Sequence, residues 1–303
     1  MVIYKKYNKA SVRQWDHCYS PTKLKTFLIL ITFVIPLLFI AITSFISFPP
    51  INGQINDKPV SGLEKQNEIQ IGNIFDPRYT NLVNFTSKID QIHGHLNASL
   101  MNKYDGNETL VVAHAAHPVA EIYPLIAPQI ANANKSLDQS LYSILVNLPE
   151  VSKNSTNEEY ANVIQSTKNV LKKIVNEVIP RDLQNDLMFN SFVVVDLLDT
   201  AGHEYQEAIT NNTITAMVEY QDSQAFLQQA EKLLTSLHSL AQSSSLDSHN
   251  FISLLSSLNS SIVEVSNPKD VYMSINMIFQ EISSISGLDK FTLLSKLGKS
   301  NVD

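Results

Sequence analysis

From residue 77 onward, apolar residues recur every three or four positions, which is the period of a helix with one buried face. Leu82, Phe85, Ile89, Ile92, Leu96 and Leu100 form such a stripe behind Asp76-Pro77, a cap and a helix-starting proline. It predicts a helix to about Lys103, closed by the turn Tyr104-Asp105-Gly106-Asn107. Leu137, Leu141, Ile144 and Leu145 predict a second helix over 136–148, ended by Pro149. Thr156-Asn157-Glu158-Glu159 fits a capping box, and the helix behind it stops at Pro180. A long helix is expected over 183–209, a turn at Asn211-Asn212, and a further helix from Thr213 or Thr215 to about Leu240. Two more are expected over 249–265 and 268–285, and Leu288–Leu297 can add a short amphipathic piece. Only Phe192–Val195 hints at period-two alternation, and it sits inside a helical pattern. Short connections make neighbours antiparallel, so the fold class predicted is all-α, an antiparallel helical bundle.

One stretch breaks the amphipathic rule. Residues 26–48 run for 23 positions without a charge. At ~1.5 Å per residue a helix of that length crosses the ~30 Å hydrocarbon core of a bilayer, and Pro36 kinks it. The run exceeds the ~7–15 apolar residues of a cleaved signal, and no small-x-small site follows it, so it reads as one uncleaved transmembrane helix. The expected organisation is a basic tail (1–25), the anchor (26–48), a linker rich in Pro, Gly, Asn and Asp (49–76), a main helical bundle (77–243) and C-terminal helices packed on it (244–303). A serine-rich break at 241–247 separates the last two.

Charge orients the anchor. The net charge of −7 divides unevenly, because residues 1–25 carry six Lys and Arg against one Asp and the remainder stands at −12. The positive-inside rule then puts the tail in the cytoplasm and the body outside the cell membrane. Seven N-x-S/T sequons beyond the anchor agree with an exported body and a glycoprotein. An acidic body is no nucleic-acid surface. Eight glycines and a single cysteine, Cys18, argue against a phosphate-cradling loop and allow no internal disulfide. Neither a nucleophile elbow nor a CxxC pair occurs, so no enzyme class is supported.

The chemistry that remains is histidine and carboxylate. His114, His117 and Glu121 fall within a ~60° arc if their helix is continuous, and imidazoles with a carboxylate suit iron, zinc or copper. Pro118 weakens this, since it disfavours helix at His117 and can start a new helix there. Otherwise His117 caps a break and His114 is a core hydrogen-bonder. A second cluster, His203, Glu204, Glu207 and Glu219, lies on the Asn211-Asn212 hairpin and can supply the missing carboxylate; solvated acidic faces are the plainer explanation for Glu204 and Glu207. His93-Gly94-His95 on a helix places two rings in different directions and so offers no shared ion unless Gly94 breaks the helix. The candidate metal ligands are therefore His114, His117, Glu121, His203 and Glu219, with Tyr123 and Tyr220 nearby.

Residues 198–230 carry a recognisable pattern: Glu204-Tyr205, Ala208, a polar turn with Asn212 where Gly is usual, Ile214, then Glu219-Tyr220-Gln221-Asp222 and Phe226. It resembles the exported helical segment that precedes the membrane domain in some iron permeases. HAAHPVAEIY (114–123) is similar to the His-containing helix of related exported domains. The permease's several membrane helices and their acidic motifs have no counterpart here, so the resemblance implies a helical domain associated with iron uptake rather than transport itself. The single anchor, sequons and lack of disulfides also resemble membrane proteins of ammonia-oxidising or related archaea. Two readings fit: a tethered extracytoplasmic domain that binds iron or another transition metal, or docks on a metal-uptake membrane protein; or a non-catalytic interaction or sensor ectodomain without metal.

Overall fold

In the computed structural model, which describes residues 77–241 and 248–286, helix α1 (Pro77–Asp105) runs past both halves of the body. Phe85, Ile89, Ile92 and Leu96 are buried along it. It ends in a Schellman motif: Gly106 takes φ +73°, its N–H donates to the Lys103 carbonyl, and the Asn107 N–H donates to the Asn102 carbonyl at 2.9 Å. The basic tail, the predicted anchor at 26–48, the linker and the segment 288–297 lie outside the described residues.

Helix α2 (Glu108–His117) follows, then one π turn (Pro118–Ile122), then α3 (Tyr123–Ala133). The sequence suggests a break at Pro118, but His117 stays helical (φ −56°, ψ −43°) and the chain does not restart there. Pro118 has no N–H to donate backward. The strain is taken up by a wide turn in which the Tyr123 N–H reaches the Pro118 carbonyl, five residues back. The run Glu108–Ala133 is, by length and composition only, the one helix among the described residues apolar enough to cross a membrane. It packs on α1 and α4 and buries Val111, His114, Ile122, Ile126 and Ile130 within the body.

Helix α4 (Lys135–Asn154) does not end at Pro149 as expected but continues a further turn. Leu148 and Ser152 are buried on its inner face, and Lys103 Nζ donates to the Ser152 carbonyl at 2.6 Å, so packing and an outside donor hold the turn that proline weakens. Helix α5 (Asn157–Val178) begins at the capping box: Thr156 N–H donates to the Glu159 carboxylate and Glu159 N–H to the Thr156 hydroxyl. Ser99 donates to the Val111 carbonyl while meeting the Tyr160 hydroxyl at 2.6 Å, which fixes α1, α2 and α5 in mutual register.

After the short turn α6 (Arg181–Gln184) comes the central helix α7 (Leu187–Ala208). Phe192 through Asp199 are all buried, so α7 is apolar nearly all round, as a helix surrounded by others must be. Strands β1 (Ile209–Thr210) and β2 (Thr213–Ile214) pair antiparallel and lead into α8 (Met217–Ala241). Asn211 and Asn212 have φ of 53° and 55°, the two left-handed centres of a type I′ hairpin turn. Helices α9 (Ser248–Val263) and α10 (Pro268–Ser286) complete the described body. Tyr205 donates to the Ser266 carbonyl and Tyr220 to the Ile262 carbonyl, tying their connection to α7 and α8. Helix α1 packs on α2 and α5 on one side and on α7 and α8 on the other, so it is the seam of the structure.

Candidate metal centre

Two helices place three histidines around one carboxylate, which a third helix supplies. Asp222, on the second turn of α8, is buried with its side chain 3% exposed. His95 Nδ1 from α1 lies 2.8 Å from its Oδ1, His114 Nδ1 from α2 lies 3.1 Å from the same oxygen, and His117 Nδ1 lies 3.3 Å from Oδ2. His114 is fully buried, and His95 is nearly so. Ligand atoms of His95, His114 and Asp222 all lie within 4.8 Å of one another, with His117 flanking them on the other carboxylate oxygen.

Local sequence explains the convergence. Gln91, His95, Ser99 and Asn102 follow the buried face of α1 as a polar line inside its apolar stripe. Gly94 lets α8 come close: a methyl group there would stand 2.7 Å from Phe226 Cδ1. The Phe226 ring meets His95 edge-on at 5.1 Å, one helical turn beyond Asp222.

The donors suit a transition metal. Ions held at ~2.0–2.2 Å put neighbouring ligand atoms roughly 3.0–3.5 Å apart. Two of the three nitrogen–oxygen separations fall in that range and the third, 2.8 Å, lies just below it. Moreover, Nδ1 of His95 and of His117 are buried without a hydrogen-bond partner although a carboxylate oxygen is close by. Both rings stand at ion-pair distance from the carboxylate, off the line of a well-formed hydrogen bond. Orphaned polar atoms are rare in protein interiors and call for an occupant or a functional role.

Electrostatics point the same way. Burial pushes the Asp222 carboxyl up, but the three histidines pull harder and leave it well below the usual carboxylate range. Burial lowers His95, with Asp222 pulling in the opposite direction. His117 is buried too, yet Asp222, Glu121 and Glu219 together raise it. Glu204 is pushed up to about 8 by burial and then by Asp222, Glu207, Glu121 and Glu219. These carboxylates thus share one electrostatic neighbourhood with the histidines, and an added cation would relieve their repulsion.

Of the residues expected from sequence, His114 and His117 meet at the site. Glu121 stands beside His117 at 4.0 Å but is 59% exposed, and Glu219 reaches the cluster through its charge on His117 and Glu204. His203 is not brought in: it is 55% exposed, 3.6 Å from Asp199, and its ring lies against Tyr272. On α7 the inward direction at that level belongs to its neighbour Glu204. Tyr123 donates to Asp138 and Tyr220 to the Ile262 carbonyl, so neither phenol is directed at the histidines. His95 and Asp222, which complete this cluster, are not among the residues expected from sequence. The rings of His93 and His95 do diverge, His93 lying near Lys168 and Lys232 and pushed down to about 4 by burial and then by those charges. The readable signal was that His95 continues the Ile92–Leu96–Ser99 buried face, and that Asp222 precedes the apolar Phe226 by one turn.

The fold is all-α, and three imidazoles meet one buried carboxylate where α1, α2 and α8 come together. Residues 180–289, from α6 to the C-terminal end of α10, match the family described as the iron permease-associated 4-helix bundle domain. The resemblance seen at 198–230 falls inside that span and links this part of the chain to iron permeases. No curated protein matches the chain, and no solved structure does. The family span contains Asp222, Glu204 and Glu219, whereas His95, His114 and His117 precede it.

Proposed function

We propose that this protein is a membrane-tethered, extracytoplasmic helical domain that binds a divalent transition metal, iron in the first instance, in support of a membrane metal-uptake partner. The ion is held by His95, His114 and Asp222, with His117 completing the set and Glu121, Glu204 and Glu219 supplying negative potential around it. The observation that carries the reading is the meeting of three histidine Nδ1 atoms on one buried carboxylate, two of them without a hydrogen-bond partner. The family match supports iron over other metals. The anchor at 26–48 and its basic flank support the tethered, outward-facing topology.

The test is metal analysis and titration of the purified full chain. Bound iron, or saturable Fe2+, Co2+ or Zn2+ binding that raises the melting temperature, is expected. H95A and D222N should abolish it and H203A should leave it intact. A metal-free protein whose melting temperature ignores iron, zinc and copper sinks the proposal. The reading that would then stand is an interaction ectodomain, for which Met273 and Met277, exposed one turn apart on α10, offer apolar contact area.

A further inference from the structure

Behind the metal-facing side of His114 lies a chain of side chains that the proposed function does not use. His114 Nε2 is 2.7 Å from Gln221 Oε1. The same oxygen accepts from Asn102 Nδ2 at 2.7 Å. Asn102 Nδ2 also donates to the Ala98 carbonyl at 2.9 Å, one turn back on α1. Amide groups can be turned end for end without changing their shape, so which atom is oxygen must be argued from partners. Here the argument closes on a backbone atom. The Ala98 carbonyl can only accept, so the Asn102 group facing it is its NH2. That NH2 also faces Gln221, which must therefore present its oxygen. An oxygen can only accept, so His114 Nε2 carries a proton.

We infer that Gln221, held by Asn102, is a positioning residue that fixes the tautomer of His114 and leaves Nδ1 free to bind a metal. The inference rests on the metal-site reading for its purpose, though not for its geometry. A neutral imidazole has one N–H. Left alone beside Asp222, His114 would place that proton on Nδ1 and give it to the carboxylate, the strongest acceptor within reach. The Nδ1 lone pair would then be blocked. Gln221 holds the proton of a singly protonated ring on the far side, so its bare Nδ1 faces Asp222 Oδ1 at 3.1 Å across a contact that a cation can then occupy in place of a hydrogen bond. Metal-bound histidines commonly donate their second N–H to such a partner, and losing it costs roughly 10- to 100-fold in metal affinity. Gln221 is also the immediate neighbour of Asp222 on α8, so one turn of helix delivers both a ligand and the group that orients another ligand.

The test uses the full chain labelled with 15N-histidine, in metal-free form, with Co2+ as the probe ion. In wild type, at a pH where the nitrogen shifts themselves show one proton on the His114 ring, that proton should be on Nε2, with Nδ1 bare. Q221M should move the proton to Nδ1 and weaken Co2+ binding roughly 10- to 100-fold. Q221E keeps an acceptor at the same position, so it should keep the wild-type tautomer and bind Co2+ at least as well. A purely structural role for Gln221 would not separate Q221M from Q221E by tautomer. A wild-type ring protonated at Nδ1, or a Q221M ring still protonated at Nε2, overturns the inference. A wild-type ring protonated at Nε2 in a protein that binds no Co2+ supports the tautomer assignment and refutes the metal reading, so the two failures are distinct.

Discussion

Replacing Gly94 with alanine probes the contact on which the histidine cluster depends. The new methyl would stand 2.7 Å from Cδ1 and 3.0 Å from Cε1 of Phe226, where carbon atoms prefer about 3.5–4.0 Å. Phe226 is buried and wedged edge-on against His95, so its ring has little room to turn. The relief is for α8 to move off α1 by several tenths of an ångström. Overpacking of this kind costs roughly 1–3 kcal/mol. Exchanging Gly for Ala inside a helix returns about 1 kcal/mol. The expected net is a loss of about 1 kcal/mol, which shifts the melting temperature down by roughly 2–4 °C for a body of this size. Asp222 rides on α8 one turn before Phe226, and His95 adjoins Gly94 on α1. The same displacement therefore lengthens the 2.8 Å His95–Asp222 approach and weakens Co2+ binding. Thermal unfolding followed by circular dichroism, with a Co2+ titration on the same samples, reads both effects. A G94A protein that gains the full ~1 kcal/mol and binds Co2+ as wild type does would refute the claim that α1 and α8 are in contact at this glycine.

Two further outcomes follow from residues away from the cluster. Asp90 is partly buried on α1, and burial lifts its carboxyl from 3.8 to about 7 against the pull of Lys232. A raised acid favours the folded state when protonated, so that contribution is complete below about 3.8 and is lost as pH rises through about 7. D90N should therefore stabilise the protein more at pH 8 than at pH 5, by about 1–2 kcal/mol once residual solvent contact is allowed for, as read from denaturant midpoints. Equal effects at both pH values would contradict the shift. At the hairpin, N212G should stabilise by a few tenths of a kcal/mol and N212A should destabilise by about 1 kcal/mol, because φ of 55° is free for Gly, tolerated by Asn and strained for Ala. Similar melting temperatures for the two variants would argue against the type I′ turn.

The elements legible in advance were those whose cause is local. The stripe on α1, the capping box at Thr156 and Glu159, and the Asn211-Asn212 turn each depend on residues within a few positions, and each lies where its chemistry predicts. What escaped depends on partners far along the chain. Pro149 reads as a stop until Lys103 and the buried Ser152 are known to hold the turn beyond it. Pro118 reads as a break until packing keeps both flanking helices in line and a π turn absorbs the missing bond. The candidate site was half visible for the same reason. His114 and His117 announce themselves as neighbours, but Asp222 lies 108 positions from His114 and no spacing rule connects them. His203, with acidic neighbours on its own helix, is the more conspicuous residue, yet its side chain faces Asp199 and Tyr272.

The chain has a single cysteine and so can have no disulfide within itself. Under the proposed function, the arrangement at α1, α2 and α8 would supply a substitute. The imidazoles are contributed by the helices before residue 180 and the carboxylate by the span matched to the iron permease-associated family. If the proposed function holds, an ion at that junction would be a reversible cross-link between the two. At a free concentration one hundred times its dissociation constant it would add about 2.7 kcal/mol to the folded state. Iron scarcity would then be registered mechanically, as a loosening between an ancillary helical layer and the bundle it covers.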